Sequence, residues 1–193
     1  MSETTKLNDS AKWIPTSSQT VGPYFRIGLQ SLAHRMSELE AGPDAIEIRG
    51  KVFDSEGEPV PDAMVEFWGA APTGAYSGVQ PGANGFPAGF YRAPTGKDGE
   101  FSFSIGKPGP APAGDGRIQA PHFLVLFFAR GLLRNMLTRV YFEGEPANDL
   151  DPVLAVVPAE RRHTLIARAD KGTKIYNWNI VLQGKDETVF FDW

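Results

Sequence analysis

The stretch Ile46–Gly69, IEIRGKVFDSEGEPVPDAMVEFWG, decides the fold class. Side chains alternate faces along an extended chain, so Ile46, Ile48 and Val52 share one face of a strand that Gly50 interrupts. Ser55-Glu56-Gly57-Glu58-Pro59 then reads as a turn, and Ala63–Trp68 as the next strand. Further along, Phe101, Phe103 and Ile105 line one face of a strand that follows the turn Lys97-Asp98-Gly99. Phe123–Phe128 is an unbroken apolar run, the pattern of a strand buried on both faces. Leu137–Phe142 and Tyr176–Leu182 complete the set, the latter with Tyr176, Trp178, Ile180 and Leu182 on one face. Short strands separated by Gly and Pro turns predict a mainly β fold, an antiparallel β-sandwich.

The segments outside these strands have a different character. Residues 1–45 read as a polar N-terminal arm in which Pro15, Gly22 and Pro23 break any long periodic element. Leu29, Leu32, Ala33, Met36 and Leu39 recur at helical spacing, which predicts a short helix over Ile27–Leu39 ending near Gly42-Pro43. The arm has too little apolar content to fold alone, so the chain divides into an arm (1–45) and a β domain (46–193). Gly69–Thr95 and Lys107–Pro121 read as long irregular loops on one rim of the sandwich, of a length that is usually functional or disordered.

Composition narrows the chemistry. The chain has 193 residues, 41% of them hydrophobic, enough for one real core. A net charge of -4 argues against nucleic acid, which asks for a basic face. There is no apolar run long enough for a membrane span, and the N-terminal residues lack the pattern of a secretory signal, so a cytoplasmic location is expected. With no cysteine, disulfides, thiolate metal sites and cysteine nucleophiles are all excluded. The three histidines, His34, His122 and His163, are far apart in sequence. On a strand, His-x-His offers two imidazoles to one metal, but the residue two beyond His122 is Leu124.

The segment Ile48–Gly78, IRGKVFDSEGEPVPDAMVEFWGAAPTGAYSG, resembles the intradiol ring-cleavage dioxygenases: a Gly-led strand, a Gly/Pro turn, a glutamate–aromatic–tryptophan strand, then a loop closing on Gly-x-Tyr. The opening Ser18-Gln19-Thr20-Val21-Gly22-Pro23-Tyr24, the run Ala129-Arg130-Gly131, the strand Thr138–Phe142 and the ending Glu187–Trp193 resemble one branch of that family, whose members pair two related chains to cleave protocatechuate. The resemblance runs from about residue 16 onward and implies a sandwich of the intradiol dioxygenase type. It also implies a ferric iron held by two tyrosines and two histidines, a donor set whose hard phenolates suit Fe(III). The first tyrosine matches Tyr76 and the first histidine His122, but the second tyrosine position is Ala111 and the second histidine position is Leu124. No catalytic residue and no bound iron are therefore expected in this chain, whose Tyr76, Ala111, His122 and Leu124 are vestigial ligand positions.

What the resemblance implies instead is a subunit beside a homologous beta chain that carries Fe(III), with protocatechuate and O2 meeting at a shared site. Thr20, Gly22, Pro23 and Arg130 are then the residues that reach the partner's substrate pocket. Gly-Pro presents rigid backbone to a flat ring, and a guanidinium attracts a carboxylate or catecholate. Read without the family, Tyr76 and His122 are structural residues and Arg130 is a solvated cap or ion-pair partner. Asp149-Leu150-Asp151 is a weak divalent-metal pattern, and Glu160–His163 a solvated helical face. Two other functions fit the same residues: a free-standing transthyretin-like module that binds a small ligand or protein, and a self-sufficient dioxygenase whose missing donors come from elsewhere in the chain.

Overall fold

The computed structural model describes residues 16–37, 45–76 and 89–192. The expected helix end at Gly42-Pro43, Pro15, Trp193 and the middle of the Gly69–Thr95 loop lie outside those residues. Among the described residues, one helix, α1 (Gly22–Ser37), precedes eleven strands: β1 (Ala45–Phe53), β2 (Met64–Gly69), β3 (Phe90–Pro94), β4 (Glu100–Gly106), β5 (Ala111–Pro112), β6 (Ile118–Gln119), β7 (His122–Phe128), β8 (Met136–Phe142), β9 (Ile166–Ala169), β10 (Ile175–Asn177) and β11 (Ile180–Val181). Three 3-10 segments, Pro146–Leu150, Leu154–Val156 and Ala159–Leu165, bridge β8 to β9. The fold is mainly β. Hydrogen bonds connect the main strands in the order β11-β1-β10-β9-β8-β7-β2-β3, with β4 on β1, and β5 and β6 form a separate ribbon.

The core forms because this path brings its two ends face to face. Phe67 on β2 meets Phe103 on β4 at 4.4 Å between ring centroids, and also touches Phe101, Phe123 and Trp178. Such tilted and edge-on ring pairs add roughly 0.5–1.5 kcal/mol each beyond the area they bury. Ile48, Val52, Val65, Val125, Phe127, Val140 and Ile180, all fully or almost fully buried, fill the space around them.

Several expectations are corrected. The pairing is mixed rather than antiparallel: β10 and β11 run parallel to β1, and β9 runs parallel to β8. The segment expected as one strand over Tyr176–Leu182 is two pieces that run along β1 in a single register, interrupted at Trp178, whose amide donates to the Arg49 carbonyl at 2.8 Å. That interruption explains Gly50, where a Cβ would stand 1.8 Å from the Trp178 carbonyl oxygen and 2.6 Å from the Phe101 ring. β3 emerges from the end of the stretch read as loop, its five residues zipped onto β2 with Phe67 opposite Tyr91. β7 is not buried on both faces. Phe123, Val125 and Phe127 point into the core, while Leu124, Leu126 and Phe128 are only partly covered on the other side.

The helix begins at Gly22, five residues before its expected start. Proline lacks only a donor that the first turn leaves unused, so Pro23 opens the helix instead of breaking it. α1 lies on the outer side of β3 and β7: Phe25 packs on Phe128 at 5.0 Å. Arg26 donates to the Thr95 carbonyl at 3.1 Å and pairs with Asp62 at 3.6 Å.

Adding one methyl where Trp178 lies against β1 tests this account. Gly50→Ala is expected to cost about 3 kcal/mol or more, since the nearest obstacle is backbone and cannot rotate away. Urea unfolding of the two proteins would measure the difference.

Candidate functional site

The outer face of β7 and β8 carries the residues of interest. Alternation that sends Phe123 and Val125 inward sends His122 and Leu124 outward, and antiparallel register sets His122 opposite Tyr141 and Leu124 opposite Arg139. The β5–β6 ribbon brings Ala111 opposite Gln119, three residues before His122. The Tyr76 loop reaches the same place, because Gly74 and Gly109 let it lie flat on the loop before β5. A Cβ on Gly74 would stand 2.0 Å from the Pro110 carbonyl oxygen, and one on Gly109 would stand 2.2 Å from that of Pro72.

At the centre is Arg139. Its Nη1 donates to Gln119 Oε1 at 2.7 Å and to the Tyr141 hydroxyl at 3.3 Å. The Tyr141 hydroxyl in turn donates to Asp151 Oδ1 at 3.1 Å, and the His122 ring lies 5.4 Å from the Tyr141 ring. The charge of Arg139 acts on Tyr76, His122 and Tyr141 alike. The four positions Tyr76, Ala111, His122 and Leu124 thus gather around one guanidinium.

Each donor that remains is spoken for or raised in energy. His122 is buried, and its Nδ1 donates to the Ala120 carbonyl at 2.8 Å, which leaves Nε2 as the only free nitrogen. Burial, helped by the Arg139 charge, pushes its pKa down to about 4, so the ring is neutral near pH 7. The half-exposed Tyr76 hydroxyl is pushed up, mainly by burial. Tyr141 is pushed up further, first by burial, with the Asp151 carboxylate adding to it. A methyl at Ala111 and an isobutyl group at Leu124 offer no lone pair, so the residues present do not fit a ferric ion. Among the described residues, no three His, Cys, Asp or Glu side chains converge as a metal-holding group.

Asp151 is the residue that strand reading missed. It is fully buried, and its two oxygens accept the amides of Ala120, Val153 and Leu154 at 2.8–2.9 Å besides the Tyr141 hydroxyl. It is a structural acceptor, not part of a divalent-metal loop with Asp149, which is exposed. The signal for Arg139 and Tyr141 was available, since residues two apart on a strand share a face. Nothing in the sequence announced Asp151 or Gln119 as their partners.

The arm residues occupy a second place. Thr20 Oγ1 accepts the Gly131 amide at 2.8 Å, which draws the arm to the turn that follows β7. Gly131 has φ 93°, a conformation that suits glycine, and its neighbour Arg130 is exposed. Gly22, at φ 62°, and Pro23 then start α1 beside this turn. Thr20 and Arg130 are therefore brought together, well along β7 from His122.

A dioxygenase family model matches residues 21–184. Over 92% of its length this chain is 40% identical to 96% of the protocatechuate 3,4-dioxygenase alpha chain of Burkholderia cepacia. It is also 30% identical, over 75% of its length, to 67% of the beta chain from the same organism. The structure of the dioxygenase domain of a carbohydrate-binding fusion protein from Streptomyces sp. SirexAA-E superposes with a TM-score of 0.57 at 21% identity, covering 95% of this chain and 97% of that one. The chain belongs to the intradiol dioxygenase family. Within it, the chain is homologous to the alpha chain of protocatechuate 3,4-dioxygenase, a heteromeric enzyme.

The buried network sets two expectations. Asp151→Ala strands three amides and a hydroxyl and is expected to destabilise the fold by about 3 kcal/mol in urea melts. His122 binds a proton more readily unfolded than folded, so stability falls as pH drops from about 6.5 towards 4. At pH 5 the loss from this group is about 2 kcal/mol, and His122→Gln should flatten that part of the curve.

Proposed function

We propose that this chain is the non-catalytic alpha subunit of a protocatechuate 3,4-dioxygenase, completing the substrate pocket of a homologous, iron-bearing beta chain. The observation that carries this reading is the loss of donors at Ala111 and Leu124 in a chain 40% identical to a protocatechuate 3,4-dioxygenase alpha chain. No cofactor belongs to this chain; Fe(III) belongs to the partner. The reaction breaks the ring bond between the two hydroxyl-bearing carbons of protocatechuate. Both atoms of O2 enter 3-carboxy-cis,cis-muconate, so the overall reaction balances without an external reductant. It is a step of aromatic catabolism in the β-ketoadipate pathway, carried out in the cytoplasm.

In this reading residues 1–45 are the arm that packs on the partner, and residues 46–193 form the β domain, with the layered sandwich of the family. The hydrogen bond from Gly131 to Thr20 supports a shared role for the arm and the Arg130 turn, since it holds both on one edge of the chain. Tyr24 and Ile27, 81% and 60% exposed on α1, supply apolar area for such a contact. Thr20, Gly22 and Pro23 line the partner's pocket with backbone and small side chains. Arg130 offers its guanidinium to the substrate carboxylate, a charge-assisted pairing that survives any change in pH where the enzyme works.

Expression of the chain alone and with its beta homologue separates this function from its rivals. Iron, the iron–tyrosinate visible band and ring cleavage are expected only in the co-assembled protein. Iron loading and turnover in the lone chain would establish a self-sufficient enzyme. A chain with no affinity for the homologue would be a binding module. Within the complex, Arg130→Ala is expected to raise KM for protocatechuate by about tenfold or more, the worth of one charge-assisted hydrogen bond, with iron content unchanged.

A further inference from the structure

Two missing donors are enough to rule out the four-ligand metal site, yet the space among these positions also holds a fixed positive charge. Arg139 stands opposite Leu124 in the β7–β8 register. Its Nη1 is held from two sides, by Gln119 Oε1 at 2.7 Å and by the Tyr141 hydroxyl at 3.3 Å. Both holders are themselves anchored. Gln119 Nε2 donates to the Pro112 carbonyl at 3.1 Å, beside Ala111, and the Tyr141 hydroxyl donates to the buried Asp151 at 3.1 Å. A guanidinium keeps its proton under all ordinary conditions and has no lone pair to lend a metal. Unlike a lysine, it cannot turn into a ligand by losing a proton. Its charge acts on both residual donors, Tyr76 and His122, which locates it among the positions that would surround an ion.

We propose that Arg139 is the metal-excluding residue of this chain, a tethered cation standing among Tyr76, Ala111, His122 and Leu124, so that restoring the two missing donors alone does not restore an iron site. This rests on the reading that the chain itself holds no iron. The network around the guanidinium supplies a reason for its retention: without the cation, Gln119 Oε1 loses its donor and Tyr141 stands over Asp151 alone. The former site is thus a charge-compensated part of the fold rather than an empty one, and it resists reversal.

The test uses the full-length chain, loaded with ferric citrate and desalted, with bound iron and the iron–tyrosinate band as readouts. The double variant Ala111→Tyr/Leu124→His is expected to retain less than about a tenth of an iron per chain. Adding Arg139→Gln is expected to raise bound iron about tenfold and to bring up the visible band. Stoichiometric iron in the double variant, with Arg139 in place, would overturn the proposal. So would a triple variant that keeps its native near-UV circular dichroism but binds no more iron than the double. If glutamine does not fold in that background, Arg139→Met keeps much of the stem, drops the charge and gives the same two outcomes. Iron in the unaltered chain would instead refute the proposed function, which keeps the two failures distinct.

Discussion

Everything at the outer face of this protein depends on the packing of Phe67 against Phe103 and Phe123 across the core. Those rings decide which side of β7 faces inward. With side chains alternating every residue, a strand that buries Phe123, Val125 and Phe127 has no freedom over where His122 and Leu124 go. A slip of one residue would turn His122 and Leu124 into the main core and three core side chains out of it. The hydrophobic core and the outer-face positions of β7 are therefore one constraint seen from two sides.

The same constraint leaves the outer-face positions open to change without loss of the fold. The outer-face positions contribute little to the main core, so Ala111 and Leu124 can differ from tyrosine and histidine while Phe67 and its neighbours stay packed. What the outer face could not tolerate is an unpaired buried polar group. Asp151 solves part of that problem by accepting three amides and a hydroxyl, and Arg139 solves the rest by satisfying Gln119 and Tyr141. A neutral His122, donating to Ala120, fits into this arrangement without a charge of its own.

The proposed division of labour follows from the geometry of one strand. β7 starts at His122 and leads to the Arg130 turn, where Thr20 accepts the Gly131 amide. On the proposed function, the end of the strand that carries His122 serves only stability, and the other end serves a neighbouring chain. α1 contributes by packing Phe25 on Phe128, at the end of β7 beside that turn.

The mainly β character, most strands and the turns between them were legible in residue types alone, whereas the reading of Ala111 and Leu124 as positions without donors came from a family resemblance. Period-two alternation and missing lone pairs are local properties. Mixed parallel pairing was not legible, because the pairing of β1 with β10 and β11 joins residues more than a hundred positions apart, and Gly50 by itself reads only as an interruption. β3 was hidden because Phe90–Pro94 is short and gains its strand character from β2. The early start of α1 was masked by Gly22-Pro23, which opens a helix as readily as it breaks one. Sequence by itself determined which donors are present and the face each takes on its strand. Only the tertiary structure decided that Arg139, Gln119, Tyr141 and Asp151 meet there, since a hydrogen-bonded network between distant segments exists only once the sheet has closed.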